Sequence, residues 1–217
     1  MKREIDMKEI SDGKLYGPND LVKADCGDCH GCFDCCRGMG QSILLDPLDI
    51  YRLTGNLKVT FEELLADKIE LNVVDGIILP NLKMAGAEDG CGFLTEEGRC
   101  GIHPFRPGIC RLFPLGRYYE ENGFRYFLQV HECQKENRAK VKVKKWLDTP
   151  DLKKYEAYIA RWHGLLIQLQ EYIAAHPESA KAVSMDVLKR FYLTPYRTEE
   201  FYSEFFQRMD EAKKAYC

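Results

Sequence analysis

No stretch of this 217-residue chain approaches the roughly 18 to 20 consecutive apolar residues that a membrane-spanning helix needs. No apolar run follows "MKREIDMKEISDG" at its start either, so neither a membrane span nor a secretory leader is expected. Charge of one sign is also missing: 31 Lys and Arg stand against 34 Asp and Glu, a formal net charge of −3. That balance gives no global attraction to nucleic acid or to an anionic bilayer. The glycine patterns of a phosphate-cradling loop and of a dinucleotide-binding turn do not occur. A C-x3-C-x2-C radical site fails as well, because Met39 stands where its third cysteine belongs. No internal repeat or low-complexity tract appears. What remains is a soluble, cytoplasmic protein with no nucleic-acid or membrane partner, large enough to form a core without covalent staples. Its oligomeric state is not readable from the chain.

What the sequence does have is cysteine in concentration. "DCGDCHGCFDCCRG" packs Cys26, Cys29, Cys32, Cys35 and Cys36 into eleven residues, and Cys91, Cys100, Cys110, Cys133 and Cys217 follow. Crowding of this kind points to disulfides or to a metal. A reducing compartment and a chain of this length make disulfides unnecessary, leaving the metal. C-x2-C spacing returns the chain within one turn, so two sulfurs reach one ion without ordering a long loop. Cys26, Cys29, Cys32 and Cys36 fit the ferredoxin run C-x2-C-x2-C-x3-C, although Arg37 replaces its proline and no second copy follows. Cys29, Cys32, Cys35 and Cys36 form the competing register C-x2-C-x2-C-C, whose adjacent pair must point different ways. Ionising a thiol at pH 7 costs about 2 kcal/mol. A bound zinc ion supplies roughly 10 to 16 kcal/mol, enough for four such ionisations. A four-thiolate site around Zn²⁺ or a [4Fe-4S]²⁺ core carries about two net negative charges. Arg37, Arg99, Arg106 and Arg111 lie near the presumed ligands and are read as partly offsetting that charge. His30, His103 and His131 neighbour cysteines but are expected to flank a site rather than ligate; His163 is expected to pack in a helix.

Local signals predict an α+β architecture. The first twenty-five residues read as a loosely ordered polar arm. "LDPLDIYRLTG" has Asp46 as N-cap, Pro47 at the first helical position and Gly55 as a stop. Thr60 and Glu63 stand in capping-box spacing. Hairpins are expected at Asp75-Gly76, within "CGFLTEEGRCGI" with Gly98 in the turn, and at Asn122-Gly123. The aromatics Tyr118, Tyr119, Phe124, Tyr126 and Phe127 are expected to pair across the last of these and cover a core. From about Gln134 the period turns helical. A helix capped at Thr149-Pro150 should run to about Ala175 and bury Tyr155, Tyr158, Ile159, Trp162, Leu165, Leu166, Leu169 and Ile173. Thr198 should open a final helix. The basic run "KENRAKVKVKK" lacks the interleaved aromatics of a single-strand binder and reads as a solvated helix face. The expected organisation is therefore a polar arm (1–25), a cysteine-bearing metal domain (26–133) and a helical region packed on it (134–217).

The segments "CHGCFDCC", "CGFLTEEGRC" and "IHPFRPGICRLFP" together resemble the YkgJ-type cysteine-cluster family, CxxCxxCC proteins described as zinc- or iron-chelating, and are similar to flagellin lysine methylases. The family pattern falls on Cys29, Cys32, Cys35 and Cys36, on Cys91 and Cys100, and on Arg106, Pro107, Cys110, Arg111, Phe113 and Pro114. With Cys133 as an eighth thiol, the expected metal ligands are Cys29, Cys32, Cys35, Cys36, Cys91, Cys100, Cys110 and Cys133. Arg37, Arg106 and Arg111 are the expected cofactor-binding arginines. Cys26 is left open, and Cys217 is read as a bystander. The resemblance implies one or two [4Fe-4S] clusters in redox or group transfer, with S-adenosylmethionine-linked protein-lysine methylation as one such reaction. It equally allows a non-catalytic zinc module for protein interaction. A protein substrate or redox partner is the partner it implies.

Overall fold

A computed structural model describes residues 6–27, 32–197 and 199–216. Cys29, His30, Thr198 and Cys217 lie outside the described residues, and with them the expected start of the last helix. The elements run α1 (Met7–Ile10), β1 (Leu21–Asp25), α2 (Pro47–Leu57), α3 (Phe61–Asp67), β2 (Ile69–Val74), β3 (Ile77–Leu82), β4 (Met84–Ala85) and β5 (Gly90–Cys91). They continue with α4 (Gly108–Leu112), β6 (Leu115–Glu120), β7 (Gly123–Leu128), β8 (Ala139–Lys142), α5 (Val143–Leu147), α6 (Leu152–Ala175), α7 (Ala180–Leu188) and α8 (Phe201–Tyr216). The described strands pair as four two-stranded antiparallel ladders, β1–β8, β2–β3, β4–β5 and β6–β7, so the fold is α+β. Among the described residues, no helix is long and apolar enough to cross a membrane.

The helices begin where short polar side chains can cap them. Asp46 accepts from the Asp49 amide while Asp49 reaches back to the Asp46 amide, and Thr60 and Glu63 exchange the same pair of bonds. Each box satisfies two amide donors that the first helical turn leaves without partners. Gly55 does not stop α2, which runs two residues further and ends where Lys58 takes a left-handed conformation (φ 60°). On α6 the N-cap is Asp151 rather than Thr149-Pro150, its carboxylate accepting from the Lys154 amide. The apolar stripe buries all eight residues that its periodicity marks.

Two of the three expected turns form as read. Asp75 (φ 49°) and Gly76 (φ 87°) make the left-handed pair of a two-residue hairpin, with Val74 opposite Ile77. Leu94 bridges Cys100 around Gly98 (φ 70°). At the third, Glu120 pairs with Gly123, so Glu121 and Asn122 occupy the turn and Gly123 (φ 129°) follows it. The register that sets Tyr119 against Phe124 and Leu115 against Leu128 moves the turn one residue earlier.

Two expectations fail outright. Instead of a loose arm, the segment before the cysteines is laced to β7: Tyr16 and Tyr126 exchange both backbone hydrogen bonds, at 2.7 and 2.9 Å, and the Val130 amide donates to Ile10. The basic run is not one helix face either. Its Lys-Val alternation forms β8 against β1 before α5 begins at Val143, because a period of two sends Val141 and Val143 inward and the lysines outward.

The buried side chains form two clusters. The larger joins residues of α2, α3, β2 and β3 to α6, α7 and α8. The smaller holds Val22, Ala24, Leu112, Leu115, Tyr126, Leu128, Val143 and Leu147. The cysteine segments run along the seam between them.

Candidate metal centre

Backbone pairing gathers the sulfurs. A single 3-10 turn over Asp34–Cys36 carries Cys35 and Cys36. The next residue, Arg37, bridges Gly90, and the Gly38 amide donates to Asp89 at 2.9 Å. The motif is thereby stitched to β5, whose last residue is Cys91. The bridge between Leu94 and Cys100, with the Gly101 amide donating to Phe93 at 2.8 Å, folds Cys100 back alongside Cys91. Gly98 has no room for a side chain, since a Cβ there would stand 2.8 Å from the Phe33 ring. Phe33, inside the cysteine motif, is what this turn packs against.

Cys110 arrives on α4, which the larger core positions. The Gly108 amide donates to Asp49 Oδ1 at 2.8 Å, and a Cβ on Gly108 would collide with the Tyr155 hydroxyl. Beneath it lies a buried polar network. Tyr158 donates to Asp46 at 3.0 Å and accepts from the Leu48 amide at 3.0 Å, and Arg117 donates to the Tyr155 hydroxyl at 3.1 Å. Burial pushes the Asp46 and Asp49 carboxyls up, and for Asp49 the neighbouring Asp46 adds to the rise. Sequence spacing marks Asp46 as a helix N-cap and assigns no role to Asp49. The capping spacing was visible, but the contact between Asp49 and Gly108 joins residues 59 apart and left no local trace.

Cys32, Cys35, Cys36, Cys91, Cys100 and Cys110 line one cavity of about 330 Å³. Its apolar wall draws Ile43, Leu82 and Ile102 from the larger core and Leu115 from the smaller. Arg99, His103 and Arg106 are its basic residues. The Cys35 thiol is pushed up by a hydrogen bond with Cys36 and by burial, and Arg106 pulls it back down. Burial raises Cys91, Cys100 and Cys110, and each also feels Cys35. Cys110 additionally feels Asp49, Cys91 and Cys100. These four therefore sit within electrostatic reach of one another and favour the protonated form. Among the described residues, no three His, Cys, Asp or Glu side chains already surround a point where an ion would sit. The eight cysteines from Cys26 to Cys133 that lie in the described residues stand as thiols, not cystines.

The remaining expected residues lie elsewhere. Cys133, together with Cys26, faces a separate recess of about 20 Å³, which Cys32 and Cys35 also line. Of the three expected arginines, Arg106 lies on the cavity wall. Arg37 stacks on Phe33 at 4.1 Å and pairs with Glu88 at 2.5 Å. Arg111 donates to the carbonyls of Pro104 and Asp148, tying α4 to its flanks. His163 stacks on Tyr119 with ring centroids 3.6 Å apart.

The donor set fits a thiophilic metal: six cysteines line one cavity, with Glu132 the carboxylate on its wall, and the Arg99 and Arg106 guanidinium groups act on Cys100 closely enough to offset thiolate charge. A cysteine-cluster chelating domain is the class that this fold and this cavity define. The chain belongs to the CxxCxxCC family, whose model, described as "Putative zinc- or iron-chelating domain", matches residues 28–145. No curated protein and no solved structure matches the chain, so the similarity to flagellin lysine methylases finds no support.

Proposed function

We propose that the chain is a cytoplasmic iron–sulfur protein whose inner centre is a [4Fe-4S] cluster held by Cys35, Cys91, Cys100 and Cys110. One observation carries this reading: four mutually interacting thiols line a cavity of about 330 Å³. A single water-sized guest fills only roughly 10 to 15 Å³, so one bare ion leaves most of that space over, whereas a polynuclear core takes up more of it. Bound there, the cluster supplies one-electron redox chemistry, and its partner is a redox protein or a protein substrate.

The chain's own residues have three tasks. The four thiols give up their protons on loading. Arg106, already felt by Cys35 and Cys100, offsets the resulting thiolate charge. Ile43, Leu82, Ile102 and Leu115 keep water from the sulfurs, which lowers the local dielectric and shifts the potential.

Anaerobic purification tests the reading. A brown protein with broad visible absorption and with iron and sulfide in equal amounts supports it. A colourless protein with stoichiometric zinc replaces it with a zinc-held interaction module. Cys110→Ser is expected to abolish the inner centre; full iron occupancy in that variant contradicts the ligand set.

A further inference from the structure

The recess that Cys133 faces has a different character from the inner cavity. Its cysteines come from three separate segments: Cys26 just past β1, Cys32 and Cys35 in the motif, and Cys133 beyond β7. Long-range pairing brings them together. β1 is held by β8, and the chain after β7 is held to the N-terminal segment by the Ser11–Gln129 bridge and the Val130-to-Ile10 bond. Trp146 lines the recess, with its indole N–H donating to Phe113 at 3.1 Å. Asp34 and Glu132 add carboxylates, and the Cys32 thiol already donates to Asp34 Oδ2 at 3.3 Å. At about 20 Å³ the space is that of one small guest, where the inner cavity has room for many.

We propose that Cys26, Cys32 and Cys133, with the Asp34 carboxylate, form a second, outer site for a single thiophilic divalent cation such as Zn²⁺. Three sulfurs and one oxygen make a four-coordinate set that zinc accepts. On binding, three S–H bonds break, three metal–sulfur bonds form, and three protons pass to solvent; no electron moves. Among the described residues these side chains do not converge on one point, so binding at this site requires them to move together, a coupling of binding to ordering. Held this way, the ion clips the end of β1 to the chain after β7. Its ligand set is distinct from the four inner ligands, although Cys32 and Cys35 stand on the wall between the two spaces.

The test uses the full-length, reduced, metal-free chain titrated anaerobically with Co²⁺, whose thiolate absorption reports sulfur coordination, and then with Zn²⁺ in competition. We expect one Co²⁺ equivalent that disappears in Cys26→Ser and in Cys133→Ser and persists in Cys91→Ser. Asp34→Asn, a surface change, should keep that equivalent but weaken it by at least the roughly 10- to 100-fold that loss of a supporting partner costs. The proposal is overturned if Cys26→Ser and Cys133→Ser both retain the wild-type uptake and spectrum, or if Cys91→Ser removes the same equivalent. The inner-centre reading stands or falls separately, on whether Cys91→Ser and Cys110→Ser lose iron and sulfide on reconstitution.

Discussion

In the C-terminal helices Phe205 is fully buried and meets the rings of Tyr158, Trp162, Phe191 and Phe201. Along the cysteine seam each described cysteine is only partly buried, and six of them line a cavity of about 330 Å³. The helical region thus has a filled interior of interlocked aromatic edges and faces, with buried hydrogen bonds such as that from Tyr192 to the Leu45 carbonyl beside them. The seam gathers its cysteines around a cavity instead of packing them against one another, and burial raises Cys91, Cys100 and Cys110. The contrast separates burial, which needs only the chain, from chelation, which also needs an ion. It also locates the metal's structural effect, since the ligands of the proposed inner centre are fixed from one side by β5 and the 3-10 turn and from the other by α4.

Removing the metal should give the largest effect and the most localised one. Where hydrogen exchange is compared between loaded and stripped protein, amides of residues 32–38, 90–101 and 108–112 should lose protection, while those of α6 and α8 keep most of theirs. A structural zinc contributes on the order of 10 kcal/mol of binding free energy, so uniform loss across both regions would erase the contrast. Next in size is Phe205→Ala, expected to cost about 3 to 5 kcal/mol in denaturant titrations. That cost should be the same with and without metal; a strongly metal-dependent cost would show that the helical core is not self-sufficient.

The pH dependence of metal affinity is the third test. Because Cys35, Cys91, Cys100 and Cys110 are all raised, each is a thiol at neutral pH and must release a proton to bind. Affinity therefore falls with acidification, roughly tenfold per pH unit for each displaced proton. Half a unit downward should cost about a hundredfold if all four thiols bind. For the metal-free fold the sign reverses: raised thiol pKa values contribute stability that is fully present at neutral pH. That stability is lost as pH climbs above the ordinary thiol value of about 8.5. Competition with a chromophoric chelator measures the first slope, and denaturation of the stripped protein measures the second.

The smallest predicted effect joins the two regions. Asp49→Ala removes one half of a capping box and leaves the buried Gly108 amide without its acceptor. The expected loss is about 1 to 3 kcal/mol, together with weaker metal uptake, because α4 is no longer fixed to α2. Unchanged uptake would show that Cys110 is positioned without Asp49.

Much of this molecule was legible in its residues, and the reason is locality. Capping boxes, the Asp75-Gly76 turn and the buried stripe of α6 each depend on side chains within a few positions of one another, so spacing determines them. The cysteine motifs similarly announced chelation, because no packing requirement makes sulfur recur at such intervals. Errors arose where a distant partner chose between local options. β1 turned the Lys-Val alternation after Gln134 into a strand, β7 immobilised the first polar segment, and cross-strand pairing moved the last hairpin turn by one residue.

Composition and spacing are enough to specify an α+β chain with a thiol-rich chelating segment and a helical region built on aromatic burial. Long-range packing settles which cysteines share a cavity, that Cys133 lies with Cys26 rather than with Cys110, and that Arg106 alone of the three expected arginines lines the inner cavity. Those outcomes depend on contacts between residues tens of positions apart, whose geometry is set by the packing of two cores against each other and leaves no periodic trace in the chain.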